Sequence, residues 1–393
     1  MKRRVVVTGF DLICALGNNK ETVEEALIKG DINMQALGEG KKQGMENIKI
    51  AKVMGIESNI IDNTSLDKSE IMARMVLNQA LRDSGLNVND IEELGNRASV
   101  SLATSVMGTD YIVNFKEKMS NISWVAKSKS FITRLAKEFR VGGGVYTTSS
   151  ACASGTAAFG VGYDLIKNNR ADIVLCGGTD HIIDISLFGF YTLETLSSDV
   201  CKPFDKARDG INLGEGSAFF ILEDYEHAKM RGAKIYGEIL GYGLANDAYH
   251  ITSPDPNGKG ALFAINTALE EAGISNEEKI YINAHGTGTS ANDSMEYKAI
   301  QEVFADRKNI IQISSTKSLT GHCLGAAGSI EFALSMIMLQ IGYVLPTRNS
   351  ETDIDEHNIL NQKLDGFSEF NCILSNSFAF GGNDASIVYG KIH

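Results

Sequence analysis

A chain of 393 residues has about the length of two ordinary domains and can bury a large interior. Hydrophobic residues make up 43% and charged residues 22%, proportions that exclude a disordered or fibrous protein. The net charge of -12 argues against nucleic acid as the main partner, because binding phosphates needs a basic surface.

The N-terminal MKRRVVVTGF is positively charged, but its apolar run breaks at Thr8-Gly9, which predicts a first strand rather than a signal peptide. No stretch reads as the roughly 18 apolar residues of a membrane span, so the sequence predicts a cytoplasmic protein without a membrane partner. Cys14, Cys152, Cys176, Cys201, Cys323 and Cys372 show neither CxxC spacing nor clustering with His, which predicts free thiols and no bound metal.

Strands alternate with helices along the chain, the pattern of an α/β protein. RRVVVTG, ASVSLATS, ADIVLCGG and SAFFILED are short runs rich in apolar residues and predict buried strands. Between them, SEIMARMVLNQALRDSG repeats apolar residues at helical spacing and stops at Gly85. A second series starts near KIYGEILGYG and continues with helix GALFAINTALEEAG, strand KIYINAH and helix SIEFALSMIMLQIG. It ends with strands CILSNS and ASIVYG on either side of FAFGGND. Two α/β halves are therefore expected, with a seam near 236–240; we place the division at 1–238 and 239–393.

Three motifs carry chemistry. In TTSSACASGTAAFG, small residues surround Cys152 and a helix follows, which places the thiol at a helix N-terminus where N–H groups and the helix dipole favour thiolate. A buried structural cysteine fits the position as well, since free Cys is among the most buried residue types. In NAHGTGTSAND, a strand delivers His285 to a loop holding Thr287 and Thr289, at the strand end where α/β sheets bind ligands. A hydrogen-bonded core histidine also fits, and no Lys completes a phosphate loop. In SSTKSLTGHCLGAAGSIEFALS, Lys317, His322 and Glu331 lie within 15 residues; singly, Lys317 reads as a surface charge and Glu331 as an ordinary helix acid.

Together, SSACASG, NAHGTGT and STKSLTGHCLGAAG resemble the elongating β-ketoacyl-acyl carrier protein synthases, the Cys-His-His condensing enzymes of the thiolase-like superfamily. KPFDKARDGINLGEGSAFFILED and SNSFAFGGNDAS extend the resemblance over the whole chain in the same order. It implies a thiolase-like five-layer αβαβα fold of two pseudo-symmetric halves, the second carrying both histidines. It implies an acyltransferase in which Cys152 accepts an acyl group from acyl carrier protein. His285 and His322 then assist decarboxylation of malonyl carrier protein, and condensation gives 3-oxoacyl carrier protein. By the same resemblance Lys317 orients the surroundings of His322, Glu331 supports the network, and Thr287 and Thr289 contact the phosphopantetheine arm. Phe380 is the gating phenylalanine, and its N–H forms an oxyanion hole with that of Cys152.

No cofactor is implied beyond the carrier's phosphopantetheine. The implied partners are acyl carrier protein and a second subunit, either a like copy or a chain-length factor. Lys127, Lys129, Arg134 and Lys137 offer a basic face for the carrier, and a solvated helix face of surface charges fits the run as well. Asn383-Asp384 stands where the housekeeping fatty acid enzymes have Thr-Asn, and GTGTSAND resembles specialised ketosynthases; both keep a type II polyketide or aryl polyene pathway open. A chain-length factor lacks the nucleophile that Cys152 supplies. A thiolase carries a second cysteine where this chain has Phe380, Cys372 lying eight residues earlier.

Overall fold

The computed structural model describes residues 3–37, 44–56, 67–106, 123–275, 277–306 and 310–352, then 354, 359, 364–365, 370 and 372–392. Among these, ten strands form one hydrogen-bonded sheet whose halves repeat a single plan. The first half runs Val5–Ile13, Gly216–Asp224, Ile173–Asp180, Ala98–Ala103, Val145–Thr148. The second runs Gly237–Asn246, Asn383–Gly390, Cys372–Ala379, Ile280–Asn283, Ile311–Ser314. In each half the first three strands pair antiparallel and the remaining pairings are parallel. The halves meet where Val5, Val6 and Val7 pair with Ile239, Glu238 and Gly237. The expected seam is thus a strand pairing, and it joins into one continuous sheet what the sequence suggested as two.

The apolar strand runs have a physical cause: successive side chains point to opposite faces, and both faces are covered. Phe219 and Ile221 enter an outer core with Met72, Val76 and Leu77 of helix Lys68–Asp83. Their neighbours Phe220 and Leu222 enter a central core with Phe159 and Phe332. On the second half, Ala261, Ile265 and Ala268 of helix Lys259–Ala272 pack over Ile280, Ile282 and Leu374. Helices Ser154–Lys167 and Ala327–Ile341 fill the middle, which gives the thiolase-like layering of helix, sheet, helix, sheet, helix.

The segment 324–341 corrects one expectation. Its mean hydropathy of 1.5 over 18 residues reaches the level of a membrane span, but 89% of it is buried inside the protein. A helix apolar on every side is one enclosed on every side.

The two central helices cross where each has a glycine. A Cβ at Gly155 would lie 2.6 Å from Ser329 N, and one at Gly328 would lie 2.8 Å from Thr156 N. The contact is reciprocal and involves backbone, which cannot move aside without shifting a helix. Gly155→Ala is therefore expected to destabilise the fold by about 1–3 kcal/mol, as overpacking typically does. A thermal melt indistinguishable from the parent's would show that the helices have room to separate.

Candidate active site

Strand Val145–Thr148 feeds a tight turn, Ala151–Ala153, that opens into helix Ser154–Lys167 and carries Cys152. Ala151 adopts φ 48°, a left-handed conformation costly for a residue with a Cβ, so the turn is strained where it presents the thiol. The second half repeats the device: Leu324, at φ 52°, opens the turn Leu324–Ala326 before helix Ala327–Ile341. Small residues in both motifs follow from this crowding.

Cys152, His285, Thr287, Thr289, His322 and Phe380 line one cavity of about 180 Å³. Lys317 and Glu331 stand behind it, buried at 1% and 2% exposure, as an ion pair. All eight sequence-predicted residues are thus brought together, from elements up to 228 residues apart in the chain.

The two imidazoles are fixed from behind. His285 Nδ1 lies 3.2 Å from Lys317 Nζ, which can only donate. His322 Nδ1 accepts the Leu324 N–H at 3.0 Å. With both Nδ1 atoms engaged as acceptors, the proton of each neutral ring sits on Nε2. Burial holds both rings neutral, with the Lys317 charge adding to the effect: His285 lies well below the ordinary value and His322 falls to about 3. The ring planes stand at 89° with centroids 5.4 Å apart. The cavity therefore has two neutral N–H donors, neither able to take up a proton at Nε2. Lys317 meets His285, not the His322 surroundings the resemblance suggested; a backbone amide serves His322 instead.

Two acids that sequence reasoning passed over hold the His285 loop. Glu296, on helix Ser290–Val303, accepts the N–H groups of His285 and Gly286, each at 2.8 Å. Burial pushes its carboxyl up to about 7. Asp293 accepts Gly288 N at 3.1 Å and Phe204 N at 2.8 Å. Their signal was available: they lie three residues apart in the first turns of the helix after GTGT, where acids meet exposed backbone donors. Phe190 closes another side, stacked on Phe380 with ring centroids 5.5 Å apart.

The thiol departs from expectation. Burial pushes Cys152 up to about 12, against the opposing pull of the Lys317 charge and of the N–H groups of Phe380 and Cys152 itself. Burial raises the other cysteines as well, Cys14 to about 11 and Cys201 and Cys372 to about 12. Access, not acidity, sets Cys152 apart, since it lines the cavity. Iodoacetamide is expected to modify Cys152 first, with a rate that climbs from pH 6 to 9 as the small thiolate fraction grows. A plateau near pH 7 would mean that the helix N-terminus outweighs burial.

The arrangement has counterparts. The β-ketoacyl synthase N-terminal domain family matches residues 2–228, and the β-ketoacyl synthase C-terminal domain family matches 236–351. This chain belongs to the β-ketoacyl synthase family. It is 33% identical to nodulation protein E of Rhizobium meliloti over the full length of both chains. It is 32% identical to 3-oxoacyl-[acyl-carrier-protein] synthase 2 of Coxiella burnetii, over 100% of this chain and 99% of that one. Among solved structures, a type II polyketide ketosynthase in complex with its acyl-carrier protein matches with TM-score 0.90 at 30% identity, covering 100% of both chains. The ishigamide ketosynthase/chain length factor matches with TM-score 0.89 at 30% identity, again over 100% of both. Among the described residues of this β-ketoacyl synthase, no three or more His, Cys, Asp or Glu side chains are grouped to hold a metal ion.

Proposed function

We propose that this chain is a β-ketoacyl-acyl carrier protein synthase in which Cys152 is the acyl-carrying nucleophile. The pair of Nε2–H donors beside Cys152 carries the reading, because decarboxylation of a malonyl thioester puts negative charge on one oxygen. In the first step the Cys152 sulfur attacks the acyl thioester, and its proton ends on the departing carrier thiol. In the second, malonyl thioester loses carbon dioxide, and His285 and His322 stabilise the enolate oxygen. The enolate carbon attacks the acyl-cysteine carbonyl, whose oxygen is held by the N–H groups of Cys152 and Phe380. Collapse expels the Cys152 sulfur, which takes a proton from solvent, and leaves 3-oxoacyl carrier protein. Lys317 fixes the His285 tautomer, Glu331 balances Lys317, and Thr287 and Thr289 face the phosphopantetheine arm.

The test is mass spectrometry of Cys152 after incubation with acyl carrier thioesters, followed by malonyl carrier protein with carbon dioxide release monitored. Acyl groups on Cys152 that disappear into a two-carbon-longer product support the proposal. Acetyl-coenzyme A turnover alone would favour thiolase chemistry.

A second reading, a type II polyketide or aryl polyene ketosynthase paired with a chain-length factor, is supported by the likeness to ketosynthase/chain length factor complexes and by Asn383-Asp384. Activity that appears only with such a partner would select it. A like or unlike subunit would find a sheet edge at Val145–Thr148, the last strand among the described residues, where Val145 and Tyr146 are exposed. For the carrier, Lys137 remains an exposed candidate, whereas Arg134 is engaged by buried Glu70. The side chains of Lys127 and Lys129 lie outside the described residues. The same reading divides the chain into two halves, supported by the repeated strand plan, with the boundary moved from 238/239 to just before Gly237 because strand Gly237–Asn246 belongs whole to the second half, and it places the protein in the cytoplasm.

A further inference from the structure

Asp180 ends strand Ile173–Asp180 of the first half, is fully buried, and takes no part in the chemistry described above. Three segments meet at its carboxyl. Oδ1 accepts Thr104 Oγ1 at 2.5 Å and Val106 N at 3.2 Å, while Oδ2 accepts Ser105 N at 2.9 Å, Ser105 Oγ at 2.7 Å and Gly325 N at 2.7 Å. The amides of Ser105, Val106 and Gly325 can only donate, so both oxygens are needed as acceptors.

Gly325 belongs to the turn Leu324–Ala326 of the second half, and the amide just before it, Leu324 N–H, is the one that His322 Nδ1 accepts at 3.0 Å. Consecutive amides of one turn thus hold the imidazole and are held by Asp180. The chain before the turn is fixed separately: His322 N donates to Asn212 O at 2.7 Å, and Gly214 N donates to His322 O at 2.9 Å. The turn itself is strained, because Leu324 is left-handed at φ 52° and carries a Cβ. A hydrogen bond from Gly325 N–H to a buried carboxyl offsets that cost. The approach is close: a Cβ at Gly325 would lie 2.7 Å from Asp180 Oδ2 and 2.8 Å from Ser105 N, and one at Gly178 would lie 3.2 Å from Ala326 Cα.

We propose that Asp180 is a positioning residue for His322: by accepting Gly325 N–H it holds Leu324 in the left-handed turn that aims the Leu324 N–H at Nδ1 and so keeps the imidazole proton on Nε2. A residue of the first half thereby sets the tautomer of a histidine in the second. The inference rests on the ketosynthase reading, in which that Nε2–H stabilises the enolate oxygen. Without the Asp180 acceptor Leu324 relaxes, its amide swings away, and the ring is free to turn or to carry its proton on Nδ1. The Cys152 and Phe380 amides sit on two other turns, Ala151–Ala153 and Phe380–Gly382, so condensation should suffer far more than acylation.

Acylation of Cys152 is followed by intact-protein mass spectrometry with a series of acyl thioesters of N-acetylcysteamine, and condensation by carbon dioxide release from malonyl carrier protein. Asp180→Ala should condense roughly 10–100-fold more slowly, the scale of loss for a misplacement of about 1 Å, while acylation falls far less. Asp180→Asn can keep an oxygen on Gly325 N–H and turn its amide to the Thr104 hydroxyl, so it should condense at least about fivefold faster than Asp180→Ala. The deciding comparison is made in His322→Ala, where an effect that runs through the imidazole has nothing left to act on. There Asp180→Ala should slow condensation by less than about twofold more. If Asp180→Ala does not fold, Ser105→Ala carries the same comparison with a loss of about two- to fivefold. It removes the second acceptor of Gly325 N–H, at 3.1 Å, and the hydroxyl that donates to Asp180. Equal losses in both backgrounds, or acylation falling in step with condensation, overturn the inference and leave the ketosynthase reading intact. A parent that never acylates overturns both.

Discussion

His322→Ala is expected to leave Cys152 able to accept an acyl group while condensation slows by roughly 10²–10³-fold, the usual loss for one preorganised donor. The two half-reactions separate because they draw on different groups. In the proposed mechanism acyl transfer uses the sulfur and the N–H groups of Cys152 and Phe380, whereas decarboxylation needs both imidazole donors on one oxygen. The alanine variant also strips the Leu324 N–H of its acceptor, and an unpaired buried donor costs about 1–3 kcal/mol. His322→Asn separates the two effects, because its Oδ1 can stand where Nδ1 stood and accept Leu324 N–H without restoring a donor at Nε2. It should therefore melt above His322→Ala yet condense as slowly. Normal condensation by either folded variant would remove His322 from the mechanism.

The sequence carried the local half of this account. The segments GALFAINTALEEAG and SIEFALSMIMLQIG are helices in the structure, each capped by its last glycine in the left-handed conformation, Gly273 at φ 64° and Gly342 at φ 66°. The three motifs located seven of the eight residues of the site because each motif lies at a strand end or helix start, where chain direction dictates what is exposed; Phe380 came from the SNSFAFGGNDAS segment through the family resemblance. The remainder depends on contacts between distant segments. The Gly155–Gly328 crossing joins residues 173 positions apart, and neither glycine differs locally from its small neighbours. Arg134 read as a surface charge until Glu70, buried at 1%, claimed it. The Cys152 acidity also escaped, since a helix N-terminus is visible in sequence and the desolvation that opposes it is not. Lys317 was assigned to the wrong histidine for a similar reason: it is five residues from His322 and 32 from His285, and the fold chooses the second.

Lys317→Met is expected to be the most damaging change outside the cavity, in stability and in rate together. Glu331, whose carboxyl burial already pushes up to about 7, would lose the cation it pairs with, and breaking a buried pair by removing one partner typically costs about 3–5 kcal/mol. His285 would lose the donor at Nδ1, so its ring could place the proton there and turn a bare Nε2 towards the enolate. One lost donor again means roughly 10²–10³-fold in condensation. The double variant Lys317→Met with Glu331→Leu separates the two consequences. Replacing a buried ion pair by apolar groups of similar volume is often neutral for stability, so the double variant should regain most of the melting temperature lost by Lys317→Met. It should regain none of the condensation rate, because nothing then dictates the His285 tautomer. Acylation of Cys152 serves as the internal control and should fall far less than condensation in the stable double variant. If condensation returns together with stability, Lys317 acts through the fold alone and His285 needs no partner to present its Nε2–H.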